Sequence, residues 1–288
     1  MASQEATAPG PSVHAPKVSV VLSNHNGARY LSETLESIAA QLYPNVEVVL
    51  VDDGSTDNSV EILQAFARQA PEFRQVLTRP ACRGQAAGFN LAFQHTRGDW
   101  IAFIDSDDLW FPDKLTQAMA YLEAHPQVGL LHHNLEILRH ETPTGEPTLT
   151  PLLKGDLAKW HQRTGQIPAF APTAGLIVRR SVMEAIAPLP ESFKTCADGF
   201  ITRSAMCFTQ VGAIETCLGA YRIHDENNVC NNPSFDVPLY IREELVPVLN
   251  AFYAAKGLDF RLELRAGASQ APWPLRWVQP LRRRLFAR

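Results

Sequence analysis

The chain has 288 residues, 45% of them hydrophobic and 19% charged, with a net charge of -4. That length can bury one large α/β core or two small ones, and the charge balance excludes a surface built throughout for nucleic acid. The five cysteines, Cys82, Cys196, Cys207, Cys217 and Cys230, are widely spaced without a Cys-x-x-Cys pair, which argues against a disulfide framework or zinc knuckle and fits a reducing, cytoplasmic compartment.

No apolar run approaches the roughly 18 residues of a membrane span. Residues 1–16 carry Ala, Ser, Thr and Pro without a basic and apolar signal pattern, and read as a disordered leader. Residues 18–22 form the first buried strand and run into a polar loop, Ser23-Asn24-His25-Asn26-Gly27, with turn chemistry. A helix follows, with Leu31, Leu35, Ile38 and Leu42 on one face at helical spacing. Residues 46–51 form a second strand that ends in carboxylates, Asp52 and Asp53, followed by Gly54-Ser55-Thr56-Asp57. Asn58 with Glu61 resembles a capping pair for the next helix, whose inner face carries Leu63, Phe66 and Ala70. A third strand at 73–78, a loop to Gly84 and a helix over 85–95 lead to Gly98-Asp99.

The stretch that organises the rest is Trp100-Ile101-Ala102-Phe103-Ile104-Asp105-Ser106-Asp107-Asp108. Its unbroken apolar start reads as a strand buried on both faces. Alternation of strand and helix up to this point predicts a mostly parallel, helix-covered sheet, with its ligand beyond the carboxyl ends of the strands. Both acidic clusters fall at such ends, so Asp52, Asp53, Asp105, Asp107 and Asp108 converge on one crevice. Like charges packed this closely repel, and the simplest compensation is a divalent cation, magnesium or manganese, shared with substrate phosphates. The plainer alternative is an acidic turn that caps the helix beginning near Pro112. Two such clusters at two strand ends weigh against it.

In the second half, a helix over 112–125 and a strand over 128–138 precede an irregular segment, 139–170, with one short helical piece near 155–163. A strand at 173–178, a short helix from Ser181 and a Pro-bounded loop reach Cys196. Asp198 opens a helix with apolar positions Ile201, Ala205 and Phe208; a late strand over 216–223 runs into His224; and a helix covers 238–255. The tail, 261–288, interleaves Trp273, Trp277 and Phe286 with Arg276, Arg282, Arg283, Arg284 and Arg288, a composition suited to peripheral contact with an anionic membrane surface.

The motifs at 18–22, at 51–57 and at 104–108, in this order and spacing, resemble the successive signatures of glycosyltransferase family 2. Gly84-Gln85-Ala86-Ala87-Gly88-Phe89-Asn90 with Arg97-Gly98-Asp99 is similar to the family's Gly-x-x-x-Ala-x-Asn and Gly-Asp pieces. Cys196-Ala197-Asp198 stands where the family has Glu-Asp, and Tyr221-Arg222-Ile223-His224 with Asn227 looks like its Tyr-Arg-x-His-x-x-Asn element. The resemblance covers about residues 17–230 and implies an inverting enzyme of the GT-A fold. It divides the chain into a nucleotide-sugar-binding α/β half, 17–137, and an acceptor-binding, catalytic half, 138–260. The implied donor is a nucleotide diphosphate sugar, a UDP-sugar, and the acceptor a glycan or a lipid-linked hydroxyl. By the same resemblance Asp53 with Asp52 would accept hydrogen bonds from the base, and Ser23, His25 and Gly84 would line the nucleotide pocket. Asp105 and Asp107 would meet the nucleotide or the metal, and Asp108 and His224 would be further metal ligands. Asp198 would be the general base.

Two departures stand out. Ala197 replaces the Glu before the catalytic Asp, and Gly88-Phe89 replaces a basic residue between Ala87 and Asn90. Two rival readings differ in kind. A nucleotidyltransferase of related fold wants a glycine-rich basic phosphate loop after the first strand, and His25-Asn26-Gly27 is not one. A non-catalytic nucleotide-sugar binder would not need Asp198.

Overall fold

The computed structural model describes residues 15–225, 227, 232 and 235–263. The leader through residue 14, Cys230 and the tail from residue 264 lie outside them.

β1 (Val18–Asn24), α1 (Ala28–Ala39), β2 (Val46–Asp52), α2 (Ser59–Arg68), β3 (Arg74–Thr78), α3 (Gln85–His95) and β4 (Trp100–Ile104) alternate along the chain, and the strands pair in parallel in the order β3-β2-β1-β4. Because side chains alternate across a strand, each apolar run supplies two cores. Val21, Val49, Val51, Ile101 and Phe103 face one side, where α3 adds Ala86, Phe89 and Ala92. Val20, Leu22, Leu50, Ala102 and Ile104 face the other, against Leu31, Leu35 and Ile38 of α1 and Leu63 and Phe66 of α2. Each of the Val, Leu, Ile and Phe side chains contributes about 1.5–3 kcal/mol when fully buried.

β5 (Leu109–Trp110), α4 (Lys114–Ala124), β6 (Val128–Arg139), β7 (Thr142–Pro147), α5 (Leu157–Thr164), β8 (Leu176–Arg179), α6 (Arg180–Ile186), α7 (Ala197–Ala205), β9 (Gln210–Ile223), α8 (Val237–Tyr240) and α9 (Val246–Ala255) complete the described chain. The same sheet continues as β4-β8-β6-β9-β5, with β7 on β6. Here the pairing turns mixed: β8 is antiparallel to β4 and β6, β9 is parallel to β6, and β5 is antiparallel to β9. The pairing of β5 with β9, Leu109 opposite Ala220, brings His224 beside the acidic turn that follows β4.

Several local expectations shift. Leu42 is 69% exposed, because α1 stops at Ala39 and the chain turns so that the Leu42 N–H donates to the Pro112 carbonyl at 2.9 Å. Asn58 precedes α2 but makes no side-chain cap; Asp57 Oδ1 accepts from the Ser59 N–H at 3.0 Å instead. The irregular segment contains the hairpin strand β7, and residues 173–175 form a tight 3-10 turn before β8. Phe208 lies beyond α7, and β9 begins at Gln210, six residues before the expected 216. The last helix is not uniform. A wide turn at Ile241–Leu245 separates α8 from α9, where Pro247 has no N–H to return to the preceding turn. Among the described residues no helix is long and apolar enough to cross a membrane.

Candidate active site at the strand ends

The loops after β1 and β2 are built around the two carboxylates of the first acidic cluster. Asp52 is 1% exposed, and its oxygens accept from the Ser55 N–H at 2.9 Å and from Asn24 Nδ2 at 3.1 Å. Asp53 accepts from Arg79 Nη1 at 3.0 Å, from the Arg83 N–H at 2.8 Å and from the Gly84 N–H at 2.6 Å. Burial works to raise the Asp53 carboxyl, but Arg79, the Gly84 and Arg83 amides and the Cys82 thiol outweigh it and hold the group below the usual carboxylate range. Asp53 is therefore a fixed negative charge. Arg79 also donates to the Ala87 carbonyl at 2.7 Å, tying Asp53 and its loop to α3.

His25 is exposed, with Nδ1 3.0 Å from the Asp53 carbonyl oxygen. Asn26, at φ 53°, accepts from the Thr56 N–H at 2.7 Å. Ser23 sits under α3 where Gly88 crosses β1, and a Cβ at Gly88 would collide with the Ser23 hydroxyl. The Gly88-Phe89 departure is thus a close helix–strand approach. Gly84, at φ 94°, has the Lys194 backbone 2.6 Å from where its Cβ would be, so only glycine fits there.

The second cluster is layered. Asp107 Oδ2 lies 3.0 Å from His224 Nε2 and 3.3 Å from Asn227 Nδ2. Tyr30 of α1 packs tilted against the His224 ring with centroids 4.5 Å apart, and the buried Arg222 guanidinium lies 4.4 Å from the centre of the Tyr30 ring. Asp108 turns into the core with no exposed surface; one oxygen accepts from the Arg222 N–H at 3.0 Å, and Oδ2 has no hydrogen-bond partner among the described residues. Burial, and then the charges of Asp107 and Asp105, push the Asp108 carboxyl well above its usual range. Asp105 is pushed up to about 8 by burial, then by Asp107 and Asp198.

Asp198 reaches this cluster from the other half of the chain. The residue preceding α7 is Cys196, so Asp198 sits in the first turn of the helix and is not its N-cap. It is 8% exposed, and burial raises its carboxyl while Arg203 opposes that. Gln85, the first residue of α3, joins the two halves: its Nε2 donates to Asp105 Oδ1 at 2.8 Å and its Oε1 accepts from the Ala197 N–H at 2.9 Å. The sequence motif contained Gln85 without giving it a role, and Arg79 lay outside the motifs. The readable signal was a polar residue opening a helix directly after Gly84, and one basic residue after β3 facing two acids.

The donor set suits a hard divalent ion. Asp105 and Asp107 offer carboxylate oxygens and His224 an imidazole, and the buried Asp108 Oδ2 has no hydrogen-bond partner among the described residues. Among the described residues no three His, Cys, Asp or Glu side chains are arranged to hold an ion by themselves. A cation that shares substrate phosphates needs only one or two protein carboxylates.

The curled α/β sheet with acids at its strand ends is the GT-A glycosyltransferase fold. Staphylococcus aureus TarS 1–349 in complex with UDP-GlcNAc superposes with a TM-score of 0.65 at 21% identity, covering 86% of this chain and 68% of that one. The mannosyltransferase PcManGT from Pyrobaculum calidifontis, in complex with GDP-Man and Mn2+, gives 0.57 at 19% identity, covering 85% and 74%. The family model described as glycosyl transferase family 2 matches residues 19–186. An uncharacterised glycosyltransferase of Nostoc sp. is 38% identical over 215 residues, 74% of this chain and 66% of the relative. The putative glycosyltransferase EpsE of Bacillus subtilis is 39% identical over 110 residues, 38% of this chain and 40% of the relative. The chain belongs to glycosyltransferase family 2. It spans 66% and 40% of the lengths of these two relatives.

Proposed function

We propose that the protein is an inverting glycosyltransferase that moves a sugar from a UDP-sugar to the hydroxyl of a glycan or lipid-linked acceptor, in surface polysaccharide or glycolipid synthesis. The observation that carries this reading is the Gln85 bridge, which brings the helix of Asp198 to the acidic end of β4. A base from one half and a diphosphate-binding acid cluster from the other then meet at one point.

In this reading Asp53, held charged by its donors, accepts the ring N–H of uracil with its remaining acceptor capacity. Asp52, Ser23, His25 and Gly84 shape the same pocket. Asp105, Asp107 and His224 hold magnesium or manganese, with Asp108 behind them on the Arg222 N–H. When bound, the ion supplies Lewis-acid stabilisation of the departing diphosphate and fixes its orientation. Asp198 takes the proton from the acceptor hydroxyl as that oxygen attacks the anomeric carbon from the face opposite the diphosphate. The new C–O bond forms as the old one breaks, and configuration inverts. Such proton transfer contributes about 10²–10⁴-fold, roughly 3–5 kcal/mol off the barrier. The raised Asp198 carboxyl suits a base, because the best catalytic pKa lies near the working pH. Neighbours of the same fold solved with UDP-GlcNAc and with GDP-Man and Mn2+ support a nucleotide-sugar donor and a divalent ion. The C-terminal tail would hold the enzyme at the cytoplasmic face of a membrane.

The test is nucleoside diphosphate release from UDP-glucose, UDP-galactose, UDP-N-acetylglucosamine and GDP-mannose, with and without manganese. Manganese-dependent release from a UDP-sugar is expected. Release from none of them, with no binding of UDP, would overturn the reading.

A further inference from the structure

The α3 N-terminus does more than open a helix. Its Gln85 N–H donates to the Lys194 carbonyl at 2.9 Å and its Ala86 N–H to the Phe193 carbonyl at 3.2 Å. Lys194 Nζ returns to the Arg83 carbonyl at 2.8 Å, and Arg83 pairs with Glu191. Farther along α3, Asn90 Nδ2 donates to the Leu189 carbonyl at 2.8 Å and its Oδ1 accepts from the Leu189 N–H at 2.7 Å. α3 thus holds both ends of the run from Leu189 to Lys194, and that run leads into α7. Gln85 is the member of this seam whose side chain also reaches the chemistry, with one end on Asp105 and the other on the first amide of α7.

A single amide spanning both points has a mechanical consequence. The Ala197 N–H is one of the orphan donors at the start of a helix and has no partner within α7. Its acceptor comes from α3, so the position of the first turn of α7, with Asp198 in it, is set relative to Asp105 and not by the helix alone. Cys196, at φ 57°, turns the chain sharply just before that amide, and Ala197 is fully buried. A Glu side chain at 197 would need room that the buried alanine does not show. The departure at this position therefore coincides with the strut.

We propose that Gln85 is a positioning residue that fixes the distance between the donor-side carboxylate Asp105 and the acceptor-side carboxylate Asp198. The proposal rests on the reading of Asp198 as general base. Gln85 itself touches no reacting atom; it holds the acid cluster and the base in one frame, so that their separation survives movement of the loops around the donor.

Gln85→Met keeps the side-chain length and removes both hydrogen bonds; Gln85→Asn, too short to span both partners, serves if the first variant fails to fold. Hydrogen exchange resolved to the Ala197 amide reads the strut without any activity. Exchange about tenfold faster than wild type is expected, and unchanged exchange overturns the proposal. Turnover is read as nucleoside diphosphate release from the best donor of the panel above, with water as acceptor. A fall in kcat of about 10- to 100-fold is expected, with UDP affinity within about threefold of wild type. A kcat within about twofold of wild type, or a loss of UDP affinity equal to the loss of rate, contradicts it. In an Asp198→Asn background Gln85→Met should slow turnover by less than about twofold more, because residues that act as one unit are not additive. Full additivity would place Gln85 on the Asp105 side alone and overturn the positioning role. An Asp198→Asn variant that turns over normally would instead remove the base assignment, a failure distinct from an unchanged Ala197 amide.

Discussion

Asp105→Asn removes a charge that the fold resists and keeps the atoms that matter, because the amide oxygen still accepts from Gln85 Nε2. The carboxyl is pushed from 3.8 up to about 8, by burial first and then by Asp107 and Asp198. A carboxyl with a folded pKa above its unfolded one binds more protons folded than unfolded. Its favourable contribution is complete below pH about 4 and is lost as pH rises towards 8. At about 1.4 kcal/mol per pH unit the ceiling is roughly 6 kcal/mol. The side chain lies at the rim of the core, not in its centre, and solvent there screens more than half of that, leaving about 2 kcal/mol. For a domain of this size that corresponds to a rise in Tm of about 4–8 °C. Thermal unfolding with a chelator present, at pH 5 and pH 8, reads it directly. The variant should be the more stable at pH 8, with the gap closing as pH falls. A variant less stable than wild type at pH 8, or a gap that ignores pH, would refute the crowding of acids at this strand end.

Lys114→Met should be stabilising by roughly 1–2 kcal/mol near neutral pH. Lys114 is fully buried with Nζ 3.2 Å over the Trp110 ring, and burial holds its pKa well below the usual range. The unfolded lysine binds more protons than the folded one, so wild-type stability rises with pH and the advantage of methionine should shrink as pH approaches about 10; a destabilised variant at pH 7 would contradict this. Asp107→Ala should abolish the gain in UDP affinity that manganese gives the wild type, measured by calorimetry, and retention of that gain would remove Asp107 from the ligand set. Full-length chain should float with anionic liposomes while a chain ending at Ser269 should not, and equal flotation would remove the membrane role of the tail.

The first half was legible because β1 and β4 are buried on both faces and so appear as largely apolar runs ending in polar residues. Val18 to Leu22 and Trp100 to Ile104 show this directly. The acids at the ends of β2 and β4 were equally visible. Less legible were features set by partners distant in sequence. The first part of β9, Gln210 to Glu215, carries Gly and Ala and gains its strand character from pairing with β6. β7, with two prolines and a glycine, forms on the free side of the same strand. Leu42 continued the helical spacing of α1, yet the backbone had already turned towards Pro112. In the site, the fit of Asp107 with His224 followed from the motif. The inward turn of Asp108 and the span of Gln85 did not, because each depends on a backbone amide more than a hundred positions away.

The most direct test of the catalytic reading is the turnover of Asp198→Asn beside its binding of UDP. Asp198 lies in the first turn of α7 and is not its cap, and burial raises its carboxyl, so neutralising it as Asn should not lower stability. With manganese and the preferred donor, kcat should fall by about 10²–10⁴-fold while UDP affinity stays at the wild-type value. A kcat close to wild type in a folded, UDP-binding variant would show that the proton leaves the acceptor by another route.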